Sequence, residues 1–254
     1  MIVLLDISYF GEPFAGFARQ PGQLTVQGSI ENALKQIFNE DIETTCAGRT
    51  DSGVHARHQF VSFDLPDSNI EDKELFAFKL KGSLEQLTHE DIHMNEVKLV
   101  DGEFSARHDA KLRKYSYFIC NQPTPALFMR NFSWHVPKQL DVKAMKKASR
   151  YLLGEHDFKS FCVAASAKDI RTMRNVSEIQ FIEYDNYCDH IIEIKVESNA
   201  FLHSMVRTIV GTLAKVGLGH REPEWIVEVL EAKDRQAAGD CAPAKGLVLM
   251  DVEY

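Results

Sequence analysis

The chain has 254 residues, 44% hydrophobic and 26% charged, with a formal net charge of −8. That composition is ordinary for a soluble globular protein, and no apolar run approaches the roughly 18 residues of a membrane span. The five cysteines are odd in number and form no Cys-x-x-Cys pair, which argues against a disulfide framework and a cysteine zinc site and makes a reducing cytoplasm the simplest setting.

The amino terminus, Met-Ile-Val-Leu-Leu-Asp-Ile, has no basic leader and reads as a buried strand over 2–8. From Thr25, a plausible N-cap, the residues Val26, Ile30, Leu34, Ile37 and Phe38 mark one helical face. Extended runs follow at Ile42–Cys46 and Gln59–Leu65, a helix at 71–80 and a strand at 92–100. That order is β-α-β-β-α-β. The second half roughly repeats it. Lys114–Asn121 reads as a strand, Asp141–Leu153 as a helix, and Glu178–Tyr184 and Ile191–Val196 as strands. Phe201–Val216 has the strongest helical period and Gly217 can end it; a helix at 223–232 and a strand at Gly246–Tyr254 close the chain. The expectation is an α+β protein of two helix-backed, ferredoxin-like halves, 1–103 and 104–254.

Charge is unevenly spread. Ser62–Ser105 holds eleven acids and four bases, a net of −7, which leaves −1 on the rest of the chain. A locally basic groove is compatible with that distribution, because binding senses the local field.

Four stretches offer chemistry. His89-Glu-Asp-Ile-His93 matches the zinc-protease pattern, but it falls where the chain turns extended and has no third ligand at the usual spacing. In Cys46-Ala-Gly-Arg-Thr-Asp-Ser-Gly-Val-His-Ala56, Asp51 sits between two glycines on a strand–loop–strand turn. This is either a structural turn or a positioned carboxylate that Arg49 keeps ionised, able to act at a sugar carbon. Arg107, Lys111, Arg113 and Lys114 stand against the single acid Asp109 and lead into Tyr115 and Tyr117. Bases beside aromatics suit RNA, while a solvated linker and a core strand would look the same. Finally, His203 and Arg207 are four apart on the predicted helix; Arg207 lies at a helix edge or pairs with a carboxylate, for which Asp51 is a candidate.

Together these stretches resemble the TruA family of tRNA pseudouridine synthases. The likeness runs through Tyr9-Phe-Gly, Gln20, Thr25-Val-Gln27, Ala47-Gly-Arg-Thr-Asp-Ser-Gly-Val-His-Ala56, Gln59 and Phe104-Ser-Ala-Arg107. It continues through Arg113-Lys-Tyr-Ser-Tyr117, Leu153-Gly-Glu-His-Asp-Phe158, Asn199-Ala-Phe201, His203, Met205-Val-Arg207 and Gly246-Leu247. It departs at Gly16-Phe-Ala18, where the family often has Gly-Trp-Gln. The resemblance implies the pseudouridine synthase fold, with two sheets joined around a central cleft. It implies a cytoplasmic homodimer that binds tRNA and acts on uridines of the anticodon stem-loop, at positions 38–40, with no metal or cofactor. It makes Asp51 the essential aspartate, Tyr115 the residue that stacks on the target base, and Arg207 the partner of Asp51. Arg49 would help flip the nucleotide, and Leu247 would line the uracil pocket. His55, His203, Phe201 and Arg107 complete the expected substrate-binding set. A non-catalytic tRNA-binding or tRNA-folding protein on the same scaffold is the alternative.

Overall fold

The computed structural model describes residues 1–65, 70–164 and 170–254. The chain divides into two compact units, Met1–Lys111 with Leu249–Tyr254, and Leu112–Val248.

In the first unit β1 (Ile2–Tyr9), α1 (Val26–Phe38), β2 (Thr45–Cys46), β3 (His55–Asp64), α2 (Lys73–Leu87) and β4 (Ile92–Val100) follow in the expected β-α-β-β-α-β order. The strand order is β4-β1-β3, and the last strand of the chain (Leu247–Glu253) lies next to β3. The β1 pairs are antiparallel. Alternation in β1 buries Val3, Leu5, Ile7 and Tyr9 on one face of the sheet. Thr25 caps α1, its side chain accepting from the Gly28 N–H, and Asp72 does the same for α2 at Leu75.

The expected strand Ile42–Cys46 is shorter than its apolar pattern suggested. Only Thr45–Cys46 pairs with β3. Thr44 donates both its N–H and its hydroxyl to Oε1 of Glu31, at 3.0 Å each. A buried glutamate on α1 thus takes the N–H that a ladder would have used, and the side-chain hydroxyl with it.

The second unit contains β5 (Leu112–Cys120), β6 (Trp134–His135), α3 (Val142–Ser149), β7 (Gly154–Asp157), β8 (Met173–Asn186), β9 (Asp189–Ser198), α4 (Met205–Gly217) and α5 (Trp225–Ala232). The strand order β5-β9-β8-β7 is antiparallel throughout, and β6 adds a short parallel pair on β5. Asp141 caps α3 through the Ala144 N–H, as expected. The helix stops at Ser149 and tightens into a 3-10 turn over Arg150–Leu152. The helix expected from Phe201 begins only at Met205, because Ser204 adopts a left-handed conformation (φ 59°) and the Met205 N–H closes a turn on the Leu202 carbonyl. The last strand of the chain, Leu247–Glu253, is β10.

Candidate active site

Three segments of the first unit hold the Asp51 loop. The Asp51 carbonyl accepts the Val54 N–H at 3.1 Å, and Gly53 at φ 77° completes the turn. The Thr50 carbonyl accepts the Phe17 N–H at 3.1 Å, and the Ser52 hydroxyl donates to the Phe14 carbonyl. Under the turn, the Tyr9 hydroxyl meets Oγ1 of Thr50 at 2.7 Å, with the Gln59 side chain also hydrogen-bonding to Tyr9. Burial pushes the Tyr9 phenol well above its ordinary range, so it stays protonated. Gln59, fully buried, donates to the Gly48 carbonyl.

His55 is 1% exposed, and its Nδ1 accepts the Gly11 N–H at 2.9 Å while Phe10 stacks on its ring at 4.9 Å. Gly11 has no room for a side chain, since a Cβ would sit 2.1 Å from the Val54 carbonyl oxygen. The turn is therefore shaped by residues 9–17, far from it in sequence, and Asp51 itself is half-buried on top of it. Phe17, at the site of the family departure, is 1% exposed and packs near Tyr9, so it supports the loop from within.

Arg49 and Arg107 are exposed. Both lie close enough to Cys46 to pull its thiol down, although burial dominates and pushes it up to about 11. Two guanidinium groups thus raise the local positive potential beside the Asp51 loop, in a chain whose net charge is negative. Two further bases of the run contact the fold. Arg113 is buried and donates to the Asn199 carbonyl at 2.8 Å, and Lys114 lies 3.9 Å from Glu197.

In the second unit Tyr115 and Tyr117 share one face of β5, as the alternation requires, and both are buried. The Tyr115 and Phe201 rings pack T-shaped, with centroids 5.1 Å apart. The Tyr117 hydroxyl donates to the Pro243 carbonyl at 2.8 Å, and a Cβ on Gly246 would strike the Tyr117 ring at 2.6 Å. Arg207 grips the same segment: its Nε donates to the Ala242 carbonyl at 2.8 Å, and its own carbonyl accepts the Ala242 N–H. Residues 242–246 are so fixed between Arg207 and Tyr117, and they deliver Leu247, 6% exposed, at the start of β10. His203 is exposed and precedes α4, so it does not share a helical face with Arg207.

A family profile described as tRNA pseudouridine synthase matches residues 148–254. Proteins named tRNA pseudouridine synthase A resemble nearly the whole chain. The one from Fervidobacterium nodosum is 40% identical over 99% of both chains. The one from Thermotoga sp. strain RQ2 is 41% identical over 98% of this chain and 97% of its own. The one from Francisella tularensis strain SCHU S4 is 42% identical over 99% of this chain and 93% of its own.

The chain belongs to the tRNA pseudouridine synthase A family, TruA. The α+β architecture described above is accordingly that of the pseudouridine synthases. Tyr9, Gln59 and Gln27 stood among the residues that carried the resemblance, without roles. The structure gives them one: Tyr9 and Gln59 back the loop, and Gln27 ties Glu31 to the Thr44 carbonyl.

The zinc-protease pattern does not form a helix. Residues 88–91 turn, β4 starts at Ile92, and the two histidines take separate partners, His89 at Asp91 and His93 at Glu85. No helix among the described residues is long and apolar enough to cross a membrane.

Proposed function

We propose that this tRNA pseudouridine synthase, an isomerase, converts uridine to pseudouridine in the anticodon stem-loop, at positions 38–40, with Asp51 as its essential carboxylate. The observation that carries the proposal is the Asp51 loop: a half-buried carboxylate on a turn held from three segments, with Arg49 and Arg107 raising the local positive potential. A simple turn needs neither the Tyr9–Thr50 support nor the Gly11–Val54 contact.

The reaction breaks N1–C1′, turns the base and joins C5 to C1′. Nothing is oxidised and no group leaves, so the chemistry calls for no metal or cofactor. The target nucleotide leaves its stack, at roughly a few kcal/mol. Arg49 takes part in that displacement, and Arg107 adds positive charge for the backbone. Tyr115, its ring oriented by Phe201, stacks on the free uracil while it turns; Leu247 lines its pocket. Asp51 acts at the sugar or the base, and Arg207 is proposed as the cation that keeps it ionised. His203 is proposed as a further RNA contact, and the enclosed His55 as a residue that acts by shaping the loop. The working form is proposed to be a cytoplasmic homodimer, following the family resemblance.

The test is incubation with unmodified tRNA transcripts followed by pseudouridine mapping. Wild type is expected to modify the anticodon stem-loop. Asp51→Asn is expected to make no product while its tRNA affinity stays within about threefold. Binding by wild type without product on any transcript would instead identify a tRNA-binding protein, and substantial turnover by Asp51→Asn would remove the carboxylate from the mechanism.

A further inference from the structure

The second unit carries an anchored aromatic patch that the reaction does not use. The fully buried carboxylate of Asp189 accepts three successive backbone N–H groups, from Leu127 at 2.9 Å and from Phe128 and Met129 at 2.8 Å. Beneath that loop Ala126 and Met129 pack with Cys120 and Ile191, and the Ser133 hydroxyl closes on the Met129 carbonyl at 2.7 Å. A loop held so firmly has the means to bury its apolar side chains, yet it presents them to solvent. Leu127 is 60% exposed, Phe128 58% and, on the neighbouring β8–β9 turn, Tyr187 83%. The Phe128 and Tyr187 rings lie 4.9 Å apart, tilted by 38°. Tyr187 holds φ 55°, a region that bulky side chains avoid.

The charge around the patch selects a partner. Arg130, exposed on the same loop, and Lys245, whose Nζ donates to the Arg130 carbonyl at 2.8 Å, flank it with two cations. On the β8–β9 turn the exposed Asp185 lies 2.9 Å from His190, and the Asp189 carboxylate is turned inward onto its three N–H donors. Exposed rings beside cations suit an unstacked base and its phosphates.

The register sets the distance. Tyr115 pairs with Val196 and Cys120 with Ile191, so the loop end of β5 lies five residues, or about 17 Å, beyond Tyr115. We infer that Phe128 and Tyr187, with Arg130, form a second RNA contact that receives a tRNA nucleotide several steps away from the target uridine. This rests on the tRNA synthase reading above.

The test compares wild type with Phe128→Ser, Tyr187→Gly and Arg130→Gln on one unmodified tRNA transcript. It reads Kd, KM, kcat, thermal melting and mass by light scattering. Tyr187→Gly removes the ring and also relieves the left-handed backbone, so it is expected to melt no lower than wild type while binding tRNA about tenfold more weakly. Phe128→Ser is expected to weaken binding to a similar degree, with KM following Kd and kcat within twofold. Arg130→Gln is expected to reduce the slope of log Kd against log salt by about 0.7–0.9, the loss of one phosphate contact. A Kd within twofold of wild type for Tyr187→Gly would overturn the inference. So would a loss of affinity that appears only together with a drop in molecular mass, which would make the patch a contact between protein chains. If wild type binds the transcript but makes no product, the synthase reading fails, and the Kd comparison still decides whether the patch binds RNA.

Discussion

Gly11→Ala tests how the Asp51 turn is held. The substitution adds one methyl group to a buried residue whose backbone conformation any residue tolerates, so the effect is one of space alone. That methyl carbon would lie 2.1 Å from the Val54 carbonyl oxygen, 2.5 Å from its carbon and 3.0 Å from the Gly53 carbonyl carbon, all of them backbone atoms. To reach ordinary contact at 3.4 Å the Val54 carbonyl must retreat by about 1.3 Å. The Val54 N–H bonds to the Asp51 carbonyl, so the turn carrying the carboxylate moves with it. Overpacking of this size destabilises by about 1–3 kcal/mol, a fall in Tm of roughly 2–12 °C. A displacement of about 1 Å at a reacting group lowers the rate about 100-fold. The expected result is a protein that remains folded by circular dichroism, with single-turnover pseudouridine formation down about 100-fold. Gly82→Ala is the control: nothing lies within 4 Å of its added methyl group, it sits within α2, and it is expected to gain up to about 1 kcal/mol with activity unchanged. Gly11→Ala turnover within threefold of wild type would refute the idea that this contact positions Asp51.

Tyr9→Phe leaves the Thr50 hydroxyl without its Tyr9 contact and should cost about 1–2 kcal/mol by chemical denaturation, with kcat reduced and KM unchanged. Burial keeps the Tyr9 phenol protonated, so the variant's pH–rate profile should have the wild-type shape. Asp189→Asn retains the size of the side chain but turns an amide donor toward the loop's N–H donors, a loss of about 2–4 kcal/mol at neutral pH. Burial pushes the Asp189 carboxyl up, but the three N–H donors outweigh it and leave its pKa below the ordinary value. Its stabilising contribution is therefore complete above the unfolded carboxyl pKa of about 3.9 and fades as pH falls through the lower folded value, so wild type and variant should converge only in strong acid. A constant difference between their melting temperatures down to pH 2 would contradict that account. With a thiol reagent at pH 8, the exposed Cys188 and Cys241 should react quickly and the buried Cys46, Cys120 and Cys162 only after denaturation. Cys46 should be slow for a second reason, its thiol being pushed up to about 11.

Helices and strands were legible where period and cap agreed. Val26, Ile30 and Leu34 with the Thr25 cap define α1, and Asp141 starts α3, because in each case the partners that decide the structure lie within one or two turns. Legibility failed where a distant or local polar group intervened. Glu31 drew Thr44 out of its strand, and the left-handed Ser204 delayed α4 and separated His203 from Arg207. The short β7 has no apolar alternation to announce it. The same division runs through the site. The residue types of the Asp51 loop and the basic-aromatic run suggested chemistry, yet only the resemblance supplied roles, and two of the four bases also contact the fold, Arg113 at the Asn199 carbonyl and Lys114 at Glu197. What holds the Asp51 loop is set by pairs 41 residues apart at Tyr9–Thr50 and 44 at Gly11–His55, and what holds the segment before Leu247 by a pair 35 apart at Arg207–Ala242. Such contacts leave no periodic trace. They do leave a compositional one: a Cβ on Gly11 would strike the Val54 backbone, and one on Gly246 the Tyr117 ring. A glycine outside any predicted turn, next to a motif with a charged centre, is thus a readable sign of close packing against that centre, although its partner emerges only from the fold.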